Sequence, residues 1–371
     1  MKILKIILIN IIILISLFIC LEISWRIALT IKNYDVPVVN YFGKTWYRVN
    51  PIELGKFDEK LIKTLKPNLK ILKVDIPRYE KKSTISSDEL GFRKNLNQIQ
   101  FKSGDLRILA VGDSFTFGDQ VSDQSTWPSC LERELKIKTD NGGYGGYSAG
   151  QSVRKGILES KKRKYSHIIW SIFFHDFERD FSKPLLIVND QNQLEFNNQI
   201  KKNDESKKDE MLFYGYLKEY SFIFYHLDYK IFPKLKELLK KTNIENKNTS
   251  KKELFYGIDY LLVERNIKFL LKKFNEINIE KKILLYQYGE HFKKSSEAEK
   301  IKTIIKENSE NYNFLIIDTL DEFSKYDEKK LKLLWFDHHT KLGNQVVCKY
   351  IIEKIEENKL NRKRIYENYL L

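Results

Sequence analysis

The chain has little of what binds metals or staples small folds. Its 371 residues include 3 cysteines, 6 histidines and 2 methionines. Cys20 lies in an apolar run, so Cys130 and Cys348 leave at most one disulfide for the rest of the chain. That excludes a disulfide framework, and no C-x-x-C or other metal-ligand spacing occurs. The plain expectation for Cys130 and Cys348 is buried free thiols, and neither a metal nor a cofactor is expected. A block of charge of one sign is also lacking. The net charge is +15, but the lysines are interleaved with Glu and Asp, as in KKNDESKKDE (201–210). Lys, Ile and Asn are abundant together, which points to an A+T-rich coding sequence rather than a selected basic surface. Nucleic acid is therefore not an expected partner. No internal repeat is visible. What the chain does have is 42% hydrophobic and 13% aromatic residues, enough for a full core and one or two domains.

One long apolar run stands out, ILKIILINIIILISLFICLEIS at 3–24, marked by Lys5, Asn10 and Glu22. It is long enough to span a bilayer as a helix. Lys2 and Lys5 sit at its start, no small-x-small cleavage site follows, and Ile19 spoils LFIC (17–20) as a lipobox. Residues 1–26 are therefore expected to be an uncleaved membrane anchor, with the large domain on the extracytoplasmic side. Arg26 and Lys32 beyond the run weaken the charge asymmetry. A buried core helix is the bland alternative. Residues 27–100 lack clear periodicity and are expected to form an irregular juxtamembrane segment packed on the main domain, 101–371.

From 107 the pattern changes. RILAV (107–111), HIIWSIFF (167–174), KILLYQY (282–288) and FLIIDTL (314–320) are short apolar runs, and a further strand is expected near 137–141. Helical patterns at 127–136, 150–164, 255–275, 295–308 and 343–358 alternate with them. Buried strands alternating with helices predict an α/β fold, a parallel sheet covered on both faces. The stretch 183–250 breaks this rhythm and is expected to be an insertion shaping the substrate side. It holds a hairpin with its turn at Asn189-Asp190-Gln191-Asn192, a Tyr/Phe-rich helical stretch at 211–228, and a polar loop at 241–253.

Four polar clusters fall at strand ends or before helices. AVGDSFTFG (110–118) puts Ser114 past a buried strand, at the sheet edge where open α/β folds bind ligands. A helix starting there would favour negative charge at the serine. NGGYGGYSAGQ (141–151) is a glycine loop whose N–H groups suit an oxyanion. SIFFHDFERD (171–180) ends a strand in His175-Asp176. WFDHHTKLGN (335–344) sets Asp337 two residues from His339, a spacing suited to a carboxylate orienting an imidazole. Each cluster alone reads as a helix cap, a flexible loop, surface polarity or a turn. One decoy is present: Gly146-Tyr147-Ser148-Ala149-Gly150 matches G-x-S-x-G, but DNGGYG (140–145) is a poor strand, and that elbow must follow one directly.

In this order, the clusters resemble the conserved blocks of the SGNH (GDSL-like) hydrolase family. GDSFTFG is similar to the first block, NGGYGGYSAGQ to the second and DHHTKLGN to the last, and LGFR (90–93) resembles membrane-anchored bacterial members. The resemblance covers roughly residues 60–360. It implies a flavodoxin-like three-layer α/β/α sandwich with a five-stranded parallel sheet, behind the N-terminal transmembrane helix. It also implies carboxylic-ester hydrolysis without a metal. Ser114 would be the nucleophile, Asp337 and His339 its partners, and the N–H groups of Ser114 and Gly146 would donate to the oxyanion. Distance to Gly343 in many relatives favours His338 as an alternative base. The family's third block supplies an oxyanion-hole Asn, and here that position holds His175, which differs in reach and carries a titratable proton.

The activity so implied is O-acyl (O-acetyl) ester cleavage on cell-envelope polysaccharide or a related acylated glycan. The same triad could instead pass the acyl group to a sugar hydroxyl, and a non-catalytic glycan-binding or scaffold protein is the reading from another class.

Overall fold

The computed structural model describes residues 2–31, 38–41, 44–47, 54–69, 72–74, 83–102, 104–183, 185–189, 191, 193–198, 200, 254–256, 258–289, 295–336 and 338–369. The chain divides into two compact units. One takes residues 1–53, 73–82 and 203–250, the other 54–72, 83–202 and 251–371.

In the first unit, Lys2–Ile31 is one helix. Its segment Lys5–Ser24 is long and apolar enough to cross a membrane, as a signal sequence also can be. Ile6, Leu8, Leu14 and Leu21 are all more than half exposed. Side chains of this kind lower their free energy only by leaving water. A short antiparallel hairpin, Val38–Tyr41 with Lys44–Tyr47, follows. The aromatic stretch 211–228 and the polar stretch 241–253 lie outside the described residues.

The second unit is built on five strands: β1 (Arg107–Val111), β2 (Lys138–Asn141), β3 (His167–Ile172), β4 (Lys281–Tyr286) and β5 (Phe314–Asp318). Every neighbouring pair is parallel. The order across the sheet is β5-β4-β3-β1-β2. That is the flavodoxin-like order, in which the chain reverses its direction across the sheet between β1 and β3 and leaves a crevice at their C-terminal ends. β3, at the centre, is buried at every position, which is why its sequence, HIIWSI, is mostly apolar rather than alternating.

The helices of this unit are α1 (Ser114–Phe117), α2 (Trp127–Leu135), α3 (Ala149–Ser160), α4 (Asp176–Ser182), α5 (Tyr260–Asn275), α6 (Ser296–Ser309), α7 (Thr319–Phe323), α8 (Glu328–Leu334) and α9 (Lys341–Tyr369). Most start on a side-chain cap: Thr126, Ser148, Asp259, Ser295, Asp318 and Asp327 each accept from an amide in the first turn. Helices α3, α4, α5 and α6 pack together, as do α2, α7, α8 and α9, giving a layer on each face of the sheet. The helix expected from 255 starts only at Tyr260, because Leu254–Phe255 and Ile258–Asp259 pair as a small hairpin. The hairpin expected after 183 is present as Leu186–Val188 with Leu194–Phe196.

Two further features depart from the sequence expectations. Within 54–69 the chain forms another hairpin, Gly55–Asp58 with Ile62–Leu65. Tyr147 Oη donates to Lys63 O at 2.9 Å, which ties the hairpin to the loop after β2. The other is that Cys130 and Cys348 are joined as a disulfide rather than free thiols. Helices α2 and α9 lie side by side, which brings the two Cα atoms to 6.0 Å, within bridging range.

Candidate active site

The site starts where β1 stops. A Cβ at Gly112 would sit 2.2 Å from Thr116 Oγ1 and 2.9 Å from Ser171 O, so only glycine lets β1 turn into α1 against β3. Asp113 organises the turn: its Oδ1 accepts from Phe115 N at 2.9 Å, and its Oδ2 accepts from Arg179 Nη1 at 3.2 Å and lies 3.3 Å from Ser114 Oγ. Ser114 is the first residue of α1, so its own N–H has no intrahelical acceptor. The helix is a single turn, closed by Gly118 in the left-handed region at φ 80°. That corrects the expected helix dipole: four residues sum to little, and what remains at Ser114 is an N–H and a hydroxyl.

The other half comes from the chain after α8, where Trp335–Phe336 pairs with His338–His339. His338 is half-buried, and its Nε2 lies 2.7 Å from Ser114 Oγ. Its ring lies 4.8 Å from that of Phe115. Its Nδ1 lies 3.1 Å from the side-chain amide of Gln120. His339 is 2% exposed, and its Nε2 donates to Tyr288 O at 3.3 Å. The rings of Phe115, Phe323 and Trp335 surround it. Burial pushes its imidazole down to about 3, partly opposed by the Tyr288 bond and deepened by His338.

The structure thus brings His338, not His339, to Ser114. The physical reason is the pleat: successive residues of a strand point to opposite sides, so only one of two adjacent histidines can reach the serine. Asp337 lies outside the described residues.

His175 also departs from expectation. Its Nδ1 lies 3.0 Å from Glu178 Oε2 and its Nε2 lies 3.3 Å from Tyr256 Oη. Both ring nitrogens therefore have partners on α4 and the Leu254–Asp259 hairpin. Gly146 sits in the left-handed region at φ 75°, which glycine enters without strain. Its carbonyl accepts from Lys183 Nζ.

Ser148, the decoy, is fully buried. It is the N-cap of α3 in a reciprocal capping box: Ser148 Oγ accepts from Gln151 N at 3.2 Å, and Gln151 Oε1 accepts from Ser148 N at 3.0 Å. Its hydroxyl also bonds the buried Asp180 carboxylate, which burial raises to about 6.

Four further contributors, Arg93, Asp119, Gln120 and Asn344, are given no role by the sequence alone. Arg93 is buried with no exposed side-chain surface and ion-paired to Asp123 at 2.9 Å. It donates to the carbonyls of Phe117, Gly118 and Val121 and so fixes the loop after α1. That loop carries Asp119 and Gln120. The atoms crowded round the Asp119 carboxyl push it above the usual range, against the pull of His338 and Arg93, with Asp113 adding to the rise. Asn344 accepts from Trp127 N at 3.0 Å and donates to His339 O at 3.1 Å, tying α2 and α9 to the histidine strand. Arg93 ends the LGFR motif (90–93), Asn344 ends WFDHHTKLGN (335–344), and Asp119 and Gln120 directly follow AVGDSFTFG (110–118). Only the fold shows that they meet.

No group of three or more His, Cys, Asp or Glu side chains able to hold a metal occurs among the described residues. The arrangement is instead a hydroxyl held by an imidazole at the crevice where the sheet changes direction.

No protein-family model matches the chain, and no relative is found among curated proteins. Solved structures do resemble it. A psychrotrophic esterase, EstA from Pseudoalteromonas sp., is 13% identical over 69% of this chain and 100% of its own, with a TM-score of 0.37. A catalytic mutant of Axe2, an acetylxylan esterase from Geobacillus stearothermophilus, is 15% identical over 69% of this chain and 96% of its own, with a TM-score of 0.38. TesA is 9% identical over 68% of this chain and 98% of its own, with a TM-score of 0.40. These are similarities of chain course; the pairing of Ser114 with His338 rests on the distances above.

Proposed function

We propose that the chain is a serine hydrolase of the SGNH type that cleaves carboxylic esters, with Ser114 as nucleophile and His338 as general base. The observation that carries this reading is the 2.7 Å contact between Ser114 Oγ and His338 Nε2, set past the C-terminal end of β1 at the sheet's switch point. Ser114 Oγ attacks the acyl carbon while its proton passes to His338 Nε2. The tetrahedral oxyanion is held by the N–H groups of Ser114 and Gly146. It collapses as the leaving alkoxide takes the proton from His338. Water, deprotonated by the same nitrogen, then releases the acid from the acyl-enzyme. His175 is left out of the oxyanion role because its ring nitrogens bond elsewhere. Asp337 remains the sequence's candidate for stabilising the imidazolium.

The proposed substrate class is O-acyl, including O-acetyl, groups on an extracytoplasmic glycan. Three observations support it. The Lys5–Ser24 segment suits a membrane anchor. The Cys130–Cys348 bond suits an oxidising compartment. Tyr256 is 51% exposed and lies 4.6 Å, ring to ring, from His175, an aromatic face of the kind sugars stack on. Transfer of the acyl group to a sugar hydroxyl would use the same pair of residues.

The test is p-nitrophenyl acetate hydrolysis by the full chain in detergent, alongside labelling with a fluorophosphonate. Ser114→Ala and His338→Asn are expected to abolish both, and His339→Asn to keep both. Labelling at Ser114 without hydrolysis would favour acyl transfer to a sugar. Absence of both in the parent would sink the enzyme reading in favour of a scaffold. Location is checked separately: after thiol blocking of intact cells, Cys130 and Cys348 should resist alkylation until reductant is added. Free thiols there would place the domain in the cytoplasm.

A further inference from the structure

His338 can take a proton from Ser114 only if its Nε2 is bare, and then Nδ1 must carry the ring proton. Something must accept that proton. The neighbour at Nδ1 is Gln120, whose side-chain amide lies 3.1 Å away. Gln120 is 8% exposed, and its amide oxygen is buried without a hydrogen-bond partner among the described residues. As placed, the amide nitrogen faces Nδ1, so two donors would meet once Nδ1 is protonated. The amide's oxygen and nitrogen have nearly the same shape, and half a turn of the group exchanges them. Turned, the orphaned oxygen accepts from Nδ1–H and fixes the tautomer that catalysis needs, while the amide nitrogen takes the place the oxygen held.

We propose that Gln120 is the positioning residue of this site. Its amide oxygen accepts from His338 Nδ1–H and holds Nε2 bare toward Ser114. Arg93 keeps Gln120 in place, through the carbonyls on either side of it at Gly118 and Val121. Asp119, the residue before it, lies close enough to His338 for the imidazole to pull on its carboxyl. The catalytic consequence rests on the ester-hydrolase reading; the tautomer does not.

Other charged groups set the background against which Gln120 acts. Asp119 and Asp113 lie on the negative side, Arg93 and Arg179 on the positive, and His339 next in the chain is neutral because it is buried. A carboxylate put in place of the Gln120 amide favours the imidazolium, so the base's pKa rises. The acid limb of the rate profile then moves to higher pH.

The experiment uses the full chain in detergent, as parent, Gln120→Leu, Gln120→Glu and Asp337→Asn. With p-nitrophenyl acetate, Gln120→Leu should lower kcat about tenfold or more at unchanged KM, from the loss of one buried hydrogen bond to an ionising group. Gln120→Glu should recover most of kcat and raise the acid limb by about one pH unit. A Gln120→Leu enzyme within twofold of the parent, with Asp337→Asn dead, would overturn the proposal and give the role to Asp337. So would an acid limb that stays in place in Gln120→Glu. Histidine 15N spectra, with His338→Asn identifying the signal, decide the tautomer without any turnover. The parent should show Nδ1–H and Gln120→Leu a shift toward Nε2–H; Nε2–H in the parent would refute the proposal. A parent that shows the Nδ1–H tautomer but no Ser114-dependent turnover would sink the ester reading alone.

Discussion

Two turns of this molecule share a pattern and differ in use. GDSF after β1 and GGYSAG after β2 both set a serine two residues after a glycine, at the start of a helix beside the sheet. At Ser148 the helix spends the serine. Its oxygen accepts from Gln151 N, its hydroxyl bonds Asp180, and no surface is left. At Ser114 the capping is done by the preceding residue, Asp113, and the serine is left to His338. The difference between a cap and a nucleophile here is one position. The residue that satisfies the helix's first amides cannot also be free to attack.

The largest test of that difference is activity. Ser114→Ala is expected to reduce ester turnover by roughly three orders of magnitude or more, as loss of a nucleophile does. Ser148→Ala should stay within a few-fold of the parent in the same assay. Equal losses would break the comparison, and a dead Ser148→Ala with an active Ser114→Ala would reverse it.

Much of this was legible in advance where the physics is local. The strands β1, β3, β4 and β5 announce themselves as apolar runs, because a doubly covered parallel sheet needs them; β2, KTDN, does not. Ser114 and the glycine loop were placed by their position after those runs. What was not legible is orientation. The spacing in Asp337-His338-His339 favours His339 as base, and only the strand's register shows that His338 is the one facing Ser114. The same holds for Arg93, Gln120 and Asn344, each of which has a partner 24 or more residues away in the chain. Cys130 and Cys348 are 218 residues apart, and their meeting follows from the packing of α2 on α9 rather than from spacing.

The histidine pair repeats the contrast of the two serines, and pH sharpens it. Burial holds His339 neutral, down to about 3 against an ordinary 6.5. The unfolded chain takes up a proton as pH falls through 6.5, and the folded chain does not. Stability from this site is therefore fully present above about pH 6.5 and is lost progressively toward pH 3. The slope is at most about 1.4 kcal/mol per pH unit. In urea titrations between pH 7.5 and 5, His339→Asn should show a flatter dependence than the parent. A parent whose midpoint does not move over that range would mean that His339 is less enclosed than its 2% exposure indicates.

The smallest expected effect belongs to Ser148 and concerns stability alone. Replacing an N-cap serine by alanine costs about 1 kcal/mol. Here the capping box adds a second bond, from Ser148 N to Gln151 Oε1, that the substitution leaves in place. The Asp180 carboxylate would lose one of its donors but keep those from Gly150 N and Asn266. Ser148→Ala should therefore lower the urea midpoint modestly, and Ser148→Asp, which can still cap α3, should do worse because it sets a second carboxylate beside Asp180. An active, slightly weakened alanine variant and a much weaker aspartate variant are the pattern that a structural serine predicts. If aspartate restored the midpoint instead, Asp180 would have to carry a proton in the parent, and Ser148 would be capping its helix without bonding an ionised neighbour.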